Sequence, residues 1–289
     1  MKDIDTLNQI LRCPRCGINL VSDQNVQKLI CPSCKNEVLI DGRILDFSSL
    51  TPELNLHFAE YTKELHFIAG KNSSDITDSW RIKEITALLE RYNHGRTVCL
   101  EIGGGDGPLT PSLEHHFSTV ISLDFSRTFL ERIQSKTEKT LCICGDAHFL
   151  PIADRSIDVI VCSEVLEHVC IPTQLLLEIR RALKPNGVCI LSVPNEATSG
   201  FLNSKENCIF ASDSHINFFN IPAMKKLLFR MGFEILCLQK IPSPLKSLPS
   251  SVMSYLFSGR YYSHILCSLT IMKDPNIYWN KFEERLKKL

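Results

Sequence analysis

The 289 residues carry 32 Lys and Arg against 32 Asp and Glu, with 44% hydrophobic side chains. Such a length can bury one large α/β core plus a small appendage, and the balanced charge creates no net field to attract nucleic acid or an anionic membrane. Apolar runs such as Ile265 to Met272 fall far short of the roughly 20 residues a spanning helix needs, and the start, MKDIDTLNQI, lacks a signal peptide's apolar stretch, so a soluble, cytoplasmic protein is expected.

Residues 13–34 read CPRCGINLVSDQNVQKLICPSC, two Cys-x-x-Cys knuckles separated by 14 residues. Thiolates from Cys13, Cys16, Cys31 and Cys34 would complete a tetrahedral Zn²⁺ shell, closed and therefore structural rather than catalytic. Pro14, Gly17 and Pro32 supply the turns. Residues 1–50 hold six basic and six acidic side chains, so the ribbon is no evident nucleic-acid clamp. EVLIDGRILDF, Glu37 to Phe47, would close its small sheet. Cys99, Cys162, Cys189, Cys237 and Cys267 lie in apolar strand-like runs and read as buried thiols of a reducing compartment.

Residues 51–70 have helical apolar spacing behind Thr51-Pro52 and predict a connecting helix within a linker, 49–79. Trp80 to Tyr92 predicts a second helix. Strands are then expected at Thr97–Ile102, Val120–Leu123, Thr140–Cys144, Ile157–Cys162 and Val188–Val193, with helices between, a rhythm calling for a parallel sheet covered on both faces. Phe233–Lys240 and Ile265–Lys273 predict a final hairpin whose intervening residues, 241–264, contain three prolines and would form a lid. Tyr278, Phe282, Leu286 and Leu289 make a C-terminal stripe that would pack on the domain.

The first domain strand runs into VCLEIGGGDG. A dinucleotide fingerprint starting at Gly103 needs glycine at 108, where Pro stands. Glu101-x-Gly103-x-Gly105-x-Gly107 instead suits S-adenosylmethionine, which has no pyrophosphate and needs a backbone without side chains to lie against. Glu101 would meet the cofactor's ammonium, through water. Asp124, 21 residues after Gly103, is placed to accept both ribose hydroxyls. Asp146 would accept from the adenine amino group while Ala147 offers its N–H. His148 and the pair His115-His116 read as surface or structural.

EIGGGDG, SLD (122–124), GDA (145–147), DVIVCSEVLEHV (158–169) and LKPNGVCILSVPN (183–195) together resemble the class I S-adenosylmethionine-dependent methyltransferases over about residues 80–273. The resemblance implies a Rossmann-like α/β sheet of seven strands, the last antiparallel, with Ser163 among the cofactor contacts. The front module resembles the zinc ribbon of methyltransferase activator proteins, also found fused before some bacterial methyltransferases, so the expected organisation is a ribbon over 1–48 and a methyltransferase domain over 80–289.

The acceptor should sit over the fourth and fifth domain strands. If SEVLEHV is helical, Glu164, Glu167 and His168 share one face at i, i+3 and i+4, and could bind Mg²⁺ or leave His168 as a base. Glu-x-x-Glu-His resembles the ubiquinone-pathway and small-RNA O-methyltransferases, where it holds a divalent metal; His215, in SDSHINFFN, would complete that site or act as a second catalytic histidine. Cys162-Ser163-Glu164-Val165 stands where amino-methylating enzymes of nucleic acids carry Asp or Asn before Pro-Pro-Tyr, which favours an oxygen acceptor. The expectation is O-methylation of a small or lipid-linked molecule. An RNA methyltransferase and a cofactor-holding binding module whose ribbon docks a partner are the rivals.

Overall fold

The computed structural model describes residues 9–23, 28–50, 76–92, 94–195, 215–241 and 264–273. The helix expected over 51–70, most of the insert over 241–264 and the stripe from Tyr278 to Leu289 lie outside the described residues. Strands are β1 Val21–Asp23, β2 Lys28–Ile30, β3 Glu37–Asp41, β4 Ile44–Asp46, β5 Val98–Ile102, β6 Thr119–Asp124, β7 Leu141–Cys144, β8 Ile157–Ser163, β9 Leu183–Pro194, β10 Phe233–Ile241 and β11 His264–Ile271. Helices are α1 Ile76–Tyr92, α2 Thr110–His116, α3 Arg127–Lys136, α4 Pro172–Ala182 and α5 Ile221–Arg230.

All five residues of β5 are buried, as befits a central parallel strand with both faces covered. Alternation then sorts the side chains. Cys99, Val159, Val161, Val188 and Ile190 pack with α1 and α2 through Ile85, Leu88, Leu89, Leu109 and Leu113. Leu100, Ile160, Cys162, Cys189 and Leu191 face the opposite way, onto Leu175, Leu176 and Ile179 of α4 and Met224 and Leu228 of α5. Strand order is β7-β6-β5-β8-β9-β11-β10, with β11 antiparallel to both neighbours, so the expected seven-stranded sheet is present. Burial pushes the Cys99 and Cys162 thiols well up, which makes them inert; Cys237 is only half-buried.

The front of the chain departs from a free-standing ribbon. Glu37 to Phe47 gives two strands rather than one, turning at Gly42, and β4 runs parallel to β7 with Leu45 opposite Ile143. The sheet therefore continues as β1-β2-β3-β4 and reaches eleven strands. Arg43 locks this junction by donating to the carbonyls of Gln134 (2.7 Å), Thr137 (2.7 Å) and Thr140 (3.3 Å). Ile10, Leu11, Leu29, Val38 and Phe47 join the α4-side core directly.

Each knuckle closes in the same way. Gly17 N–H donates to the Cys13 carbonyl and Lys35 N–H to the Cys31 carbonyl, both at 2.9 Å. The Cys16–Cys31, Cys16–Cys34 and Cys13–Cys34 sulfurs lie 3.3, 3.5 and 3.6 Å apart. A tetrahedron with metal–sulfur bonds of about 2.3 Å has edges of about 3.8 Å, so these thiols are disposed as a zinc shell requires.

Candidate cofactor and acceptor site

The strand order reverses between β5 and β8, and at such a switch point the carboxyl ends of the strands open a crevice. Gly103 follows β5, Asp124 ends β6, Gly145 to Ala147 follow β7 and Glu164 follows β8; all line one cleft with Phe129, Val165 and His168. Gly103 has φ +71° and Gly105 φ +52°, backbone that glycine adopts without strain. A side chain on Gly103 would strike Val165 Cγ2 at 2.3 Å, while at Gly105 no atom of the described residues lies within 4 Å of where a Cβ would be. The loop is thus packed tight underneath and left bare towards the cleft.

Asp124 is buried, and its Oδ2 accepts from Gly105 N–H (3.0 Å) and its Oδ1 from Ser126 N–H (2.8 Å). Burial raises its carboxyl to about 6, against the lowering effect of those N–H groups. Asp146 Oδ1 accepts from the His148 N–H (2.8 Å) and bonds His148 Nδ1 (2.7 Å). Ile171 N–H donates to His148 Nε2 at 3.2 Å, so the ring proton sits on Nδ1 and is given to Asp146. His148 is therefore wholly buried structure, not surface, and it orients the carboxylate. Asp146 Oδ2 is buried with no hydrogen-bond partner among the described residues, a place for a ligand's N–H group.

Glu101, expected at the cofactor's ammonium, spends its Oε2 on Thr110 Oγ1 and Ser122 Oγ, both at 2.7 Å, beneath the glycine loop. Burial holds its carboxyl above the usual range despite those two hydroxyls. It still lines a smaller adjoining cavity with Arg81, Gly103 and Ser163. Gly107 does not line the main cleft; a Cβ there would meet Ile133 Cγ1 at 2.8 Å, so it serves helix packing.

SEVLEHV is not a helix. Glu164 leaves β8 at φ +56°, and the chain then makes a short turn through Glu167 and His168. Helical spacing therefore does not apply, and Glu164 points away from its expected companions: Oε1 accepts from Ser192 Oγ (2.6 Å) and Oε2 lies 3.3 Å from His264 Nε2. What does converge is Glu167, His168 and His215, whose ligand atoms all lie within 4.8 Å of one another. The loop carrying His215 is clamped from below, because Ile216 and Asn217 N–H both donate to the Glu167 carbonyl (3.0 Å) and Asn217 Nδ2 to that of Val169 (2.6 Å). The His168 and His215 rings meet edge to face at 4.8 Å. Ser192 lies within LKPNGVCILSVPN but nothing there singles it out, and His264 carried no motif that sequence reasoning could have found.

Residues 100–191 match the family model described as a methyltransferase domain. A probable S-adenosylmethionine-dependent methyltransferase of Mycolicibacterium smegmatis is 30% identical over 151 residues, covering 51% of this chain and 57% of the relative. The chain thus spans little more than half of that curated relative. A chain of the complex between the Haloferax volcanii Trm112 methyltransferase activator and a methyltransferase has the same fold, with TM-score 0.52, 18% identity and coverage of 68% of this chain and 96% of that one. So does the [4+2]-cyclase SpnF, with TM-score 0.50, 15% identity, and coverage of 65% and 81%.

Proposed function

We propose that this chain, which carries a methyltransferase domain over residues 100–191, binds S-adenosylmethionine in the β5–β8 cleft and transfers its methyl group to a hydroxyl of a small or lipid-linked acceptor. The charge of the cleft carries this reading. Asp124, Asp146 and Glu164 stand at the ends of three strands, and no Lys or Arg is among the described lining residues. A nucleotide phosphate would be repelled there, whereas a cationic nucleoside without phosphate suits it. Asp146 Oδ2 would accept from the adenine amino group beside Ala147, Asp124 from the ribose hydroxyls, and Gly103 and Gly105 would underlie the rest. Ser163 and Glu101 would face the amino-acid end.

The bound donor supplies an electrophilic methyl on an already good leaving group, so the protein's tasks are alignment and removal of a proton. His168, which lines the cleft, would take the acceptor's hydroxyl proton, with His215 packed edge-on to hold the ring. Phe149, in the short 3-10 turn after β7, Ile171, which caps α4, and Ile216 and Phe218, in and next to the segment bonded to the Glu167 carbonyl, are exposed, which supports an apolar acceptor over an RNA. A divalent ion at Glu167, His168 and His215 is a second reading, favoured by their convergence. Two imidazoles and one carboxylate suit a transition ion better than Mg²⁺. For the ribbon, the four thiols are proposed to hold structural Zn²⁺.

Calorimetry tests the central claim: one equivalent of S-adenosylmethionine should bind, and no binding would sink it. With an acceptor found, His168→Ala should lower kcat by about 100-fold or more with little change in donor affinity.

Asp124 adds a pH signature. Between its ordinary value of 3.8 and about 6 the folded chain holds a proton that the unfolded chain has lost, so its contribution to stability falls as pH rises through that window. Donor binding should run the other way, weakening as pH drops through about 6 because a protonated carboxyl loses acceptor capacity. Glu101, Asp106 and Asp146 are the neighbouring acids, and Asp124→Asn should flatten this inflection. An unchanged pH profile in the variant would refute the assignment.

A further inference from the structure

In the proposed function Glu164 only adds to the general negative charge of the cleft, yet it is built with unusual care. It lines the main cleft, and its backbone is held at φ +56°, a conformation costing a non-glycine residue roughly 1–2 kcal/mol. Such strain persists only where the surroundings enforce it. Here they do: Glu164 N–H donates to the Ser192 carbonyl (3.1 Å), Ser192 Oγ donates to Oε1 (2.6 Å), and Ser163 Oγ lies 2.8 Å from Ser192 Oγ. His264 Nε2 stands 3.3 Å from Oε2. Because Ser192 gives its only proton to Glu164, Ser163 must donate to Ser192, and each O–H in the row points the positive end of its dipole towards the carboxylate. Despite burial, these partners and the more distant Arg81 keep the carboxyl below its ordinary range.

The position is as informative as the support. Asp146 and Asp124 mark the β7 and β6 ends of the cleft, so a donor anchored there by adenine and ribose extends its sulfur-bearing end towards β5 and β8. Gly103 and Glu164 are what it meets. We propose that Glu164 is a specificity-determining residue that reads the charge on sulfur, favouring the sulfonium donor over its neutral thioether product. In the transfer the O–C bond forms as the S–C bond breaks, the sulfur keeps the bonding pair and loses its positive charge, and the acceptor's proton leaves to the base. The product therefore lacks the charge that Glu164 attracts, and exchange for fresh donor is favoured.

This inference rests on the donor proposed above, and calorimetry separates the two. S-adenosylmethionine, S-adenosylhomocysteine and sinefungin, whose ammonium replaces the sulfonium, are titrated into wild type, Glu164→Gln and His264→Gln. Glu164→Gln should lose about tenfold in affinity for the two cationic ligands, as expected for one charge pair in a partly desolvated cleft, and keep S-adenosylhomocysteine within about twofold. His264→Gln, which leaves the carboxylate less firmly held, should shift the same ligands by less. Equal losses on all three ligands, or none, overturn the charge-reading role while leaving the donor assignment standing; a wild type that binds neither cation nor thioether overturns both. If Glu164→Gln melts below the assay temperature, the wild type decides: S-adenosylmethionine should bind several-fold tighter than S-adenosylhomocysteine, and equal or weaker binding overturns the proposal.

Discussion

Gly103→Ala should abolish donor binding and destabilise the fold, whereas Gly105→Ala, two residues on, should weaken binding with little loss of stability. The added Cβ at Gly103 would sit 2.3 Å from Val165 Cγ2 and 3.6 Å from Val165 Cβ, and a β-branched side chain has no flexible end to yield. Overpacking of this kind costs about 1–3 kcal/mol, and the left-handed backbone adds about 1–2 kcal/mol. Relief requires Val165 or the glycine loop to move, and both are walls of the cleft. At Gly105 no atom of the described residues lies within 4 Å of the new methyl, so the left-handed penalty of about 1–2 kcal/mol is the cost to the fold. That methyl would instead occupy space the donor needs. Thermal melts paired with calorimetry on the two variants test this, and identical behaviour in both assays would show that the loop does not hold the donor in this way.

That contrast could not have been drawn from VCLEIGGGDG alone. The alternating glycines and the three acids at strand ends were legible because each sits at a fixed offset from a strand whose apolar run is unmistakable. Partners distant in sequence were not. Glu101 looked like a cofactor ligand, but Thr110 and Ser122 claim one of its oxygens, and no spacing rule links residues 101, 110 and 122. SEVLEHV would put three polar residues on one face if it were helical, yet the left-handed turn at Glu164 sends that carboxylate to β9 and β11 while Asn217 draws His215 to His168. His148 illustrates the reverse case. A histidine two residues from an acid reads as surface or structural, and only its burial and the bond from Ile171 N–H show it to be the support that leaves one Asp146 oxygen for a ligand. The ribbon's thiols were legible to the residue, but parallel pairing of β4 with β7 leaves no mark in the sequence beyond two short apolar runs.

That pairing sets the second large expectation: removing zinc should cost cofactor affinity although the four thiols lie outside the cleft. Metal analysis of the purified chain should give one zinc, and Cys31→Ser, or extraction with a strong chelator, should release it. The knuckles hold the paired strands β1 and β2, β2 pairs with β3, and β3 carries β4 onto β7. If the ribbon unravels, β7 becomes an edge strand: Cys142 N–H loses the Arg43 carbonyl (2.8 Å) and the Cys144 carbonyl loses Phe47 N–H (2.7 Å). The carbonyls held by Arg43, the Arg12–Asp154 ion pair and the buried Phe47 side chain go with them. Phe47 Cβ is packed against Gly145, 3.4 Å from where a Cβ there would lie, and Gly145 to Ala147 form the wall assigned to the adenine. Loss of about 3–5 kcal/mol of such contacts should lower Tm by about 10 °C. It should also weaken donor binding by about tenfold or more, since that wall loses its backing. A freshly exposed edge strand invites association between chains, so light scattering should rise as zinc leaves. A zinc-free chain that kept its melting temperature and its donor affinity would show that the ribbon merely adjoins the domain; the shared sheet and core predict that it cannot be removed without disturbing the cleft.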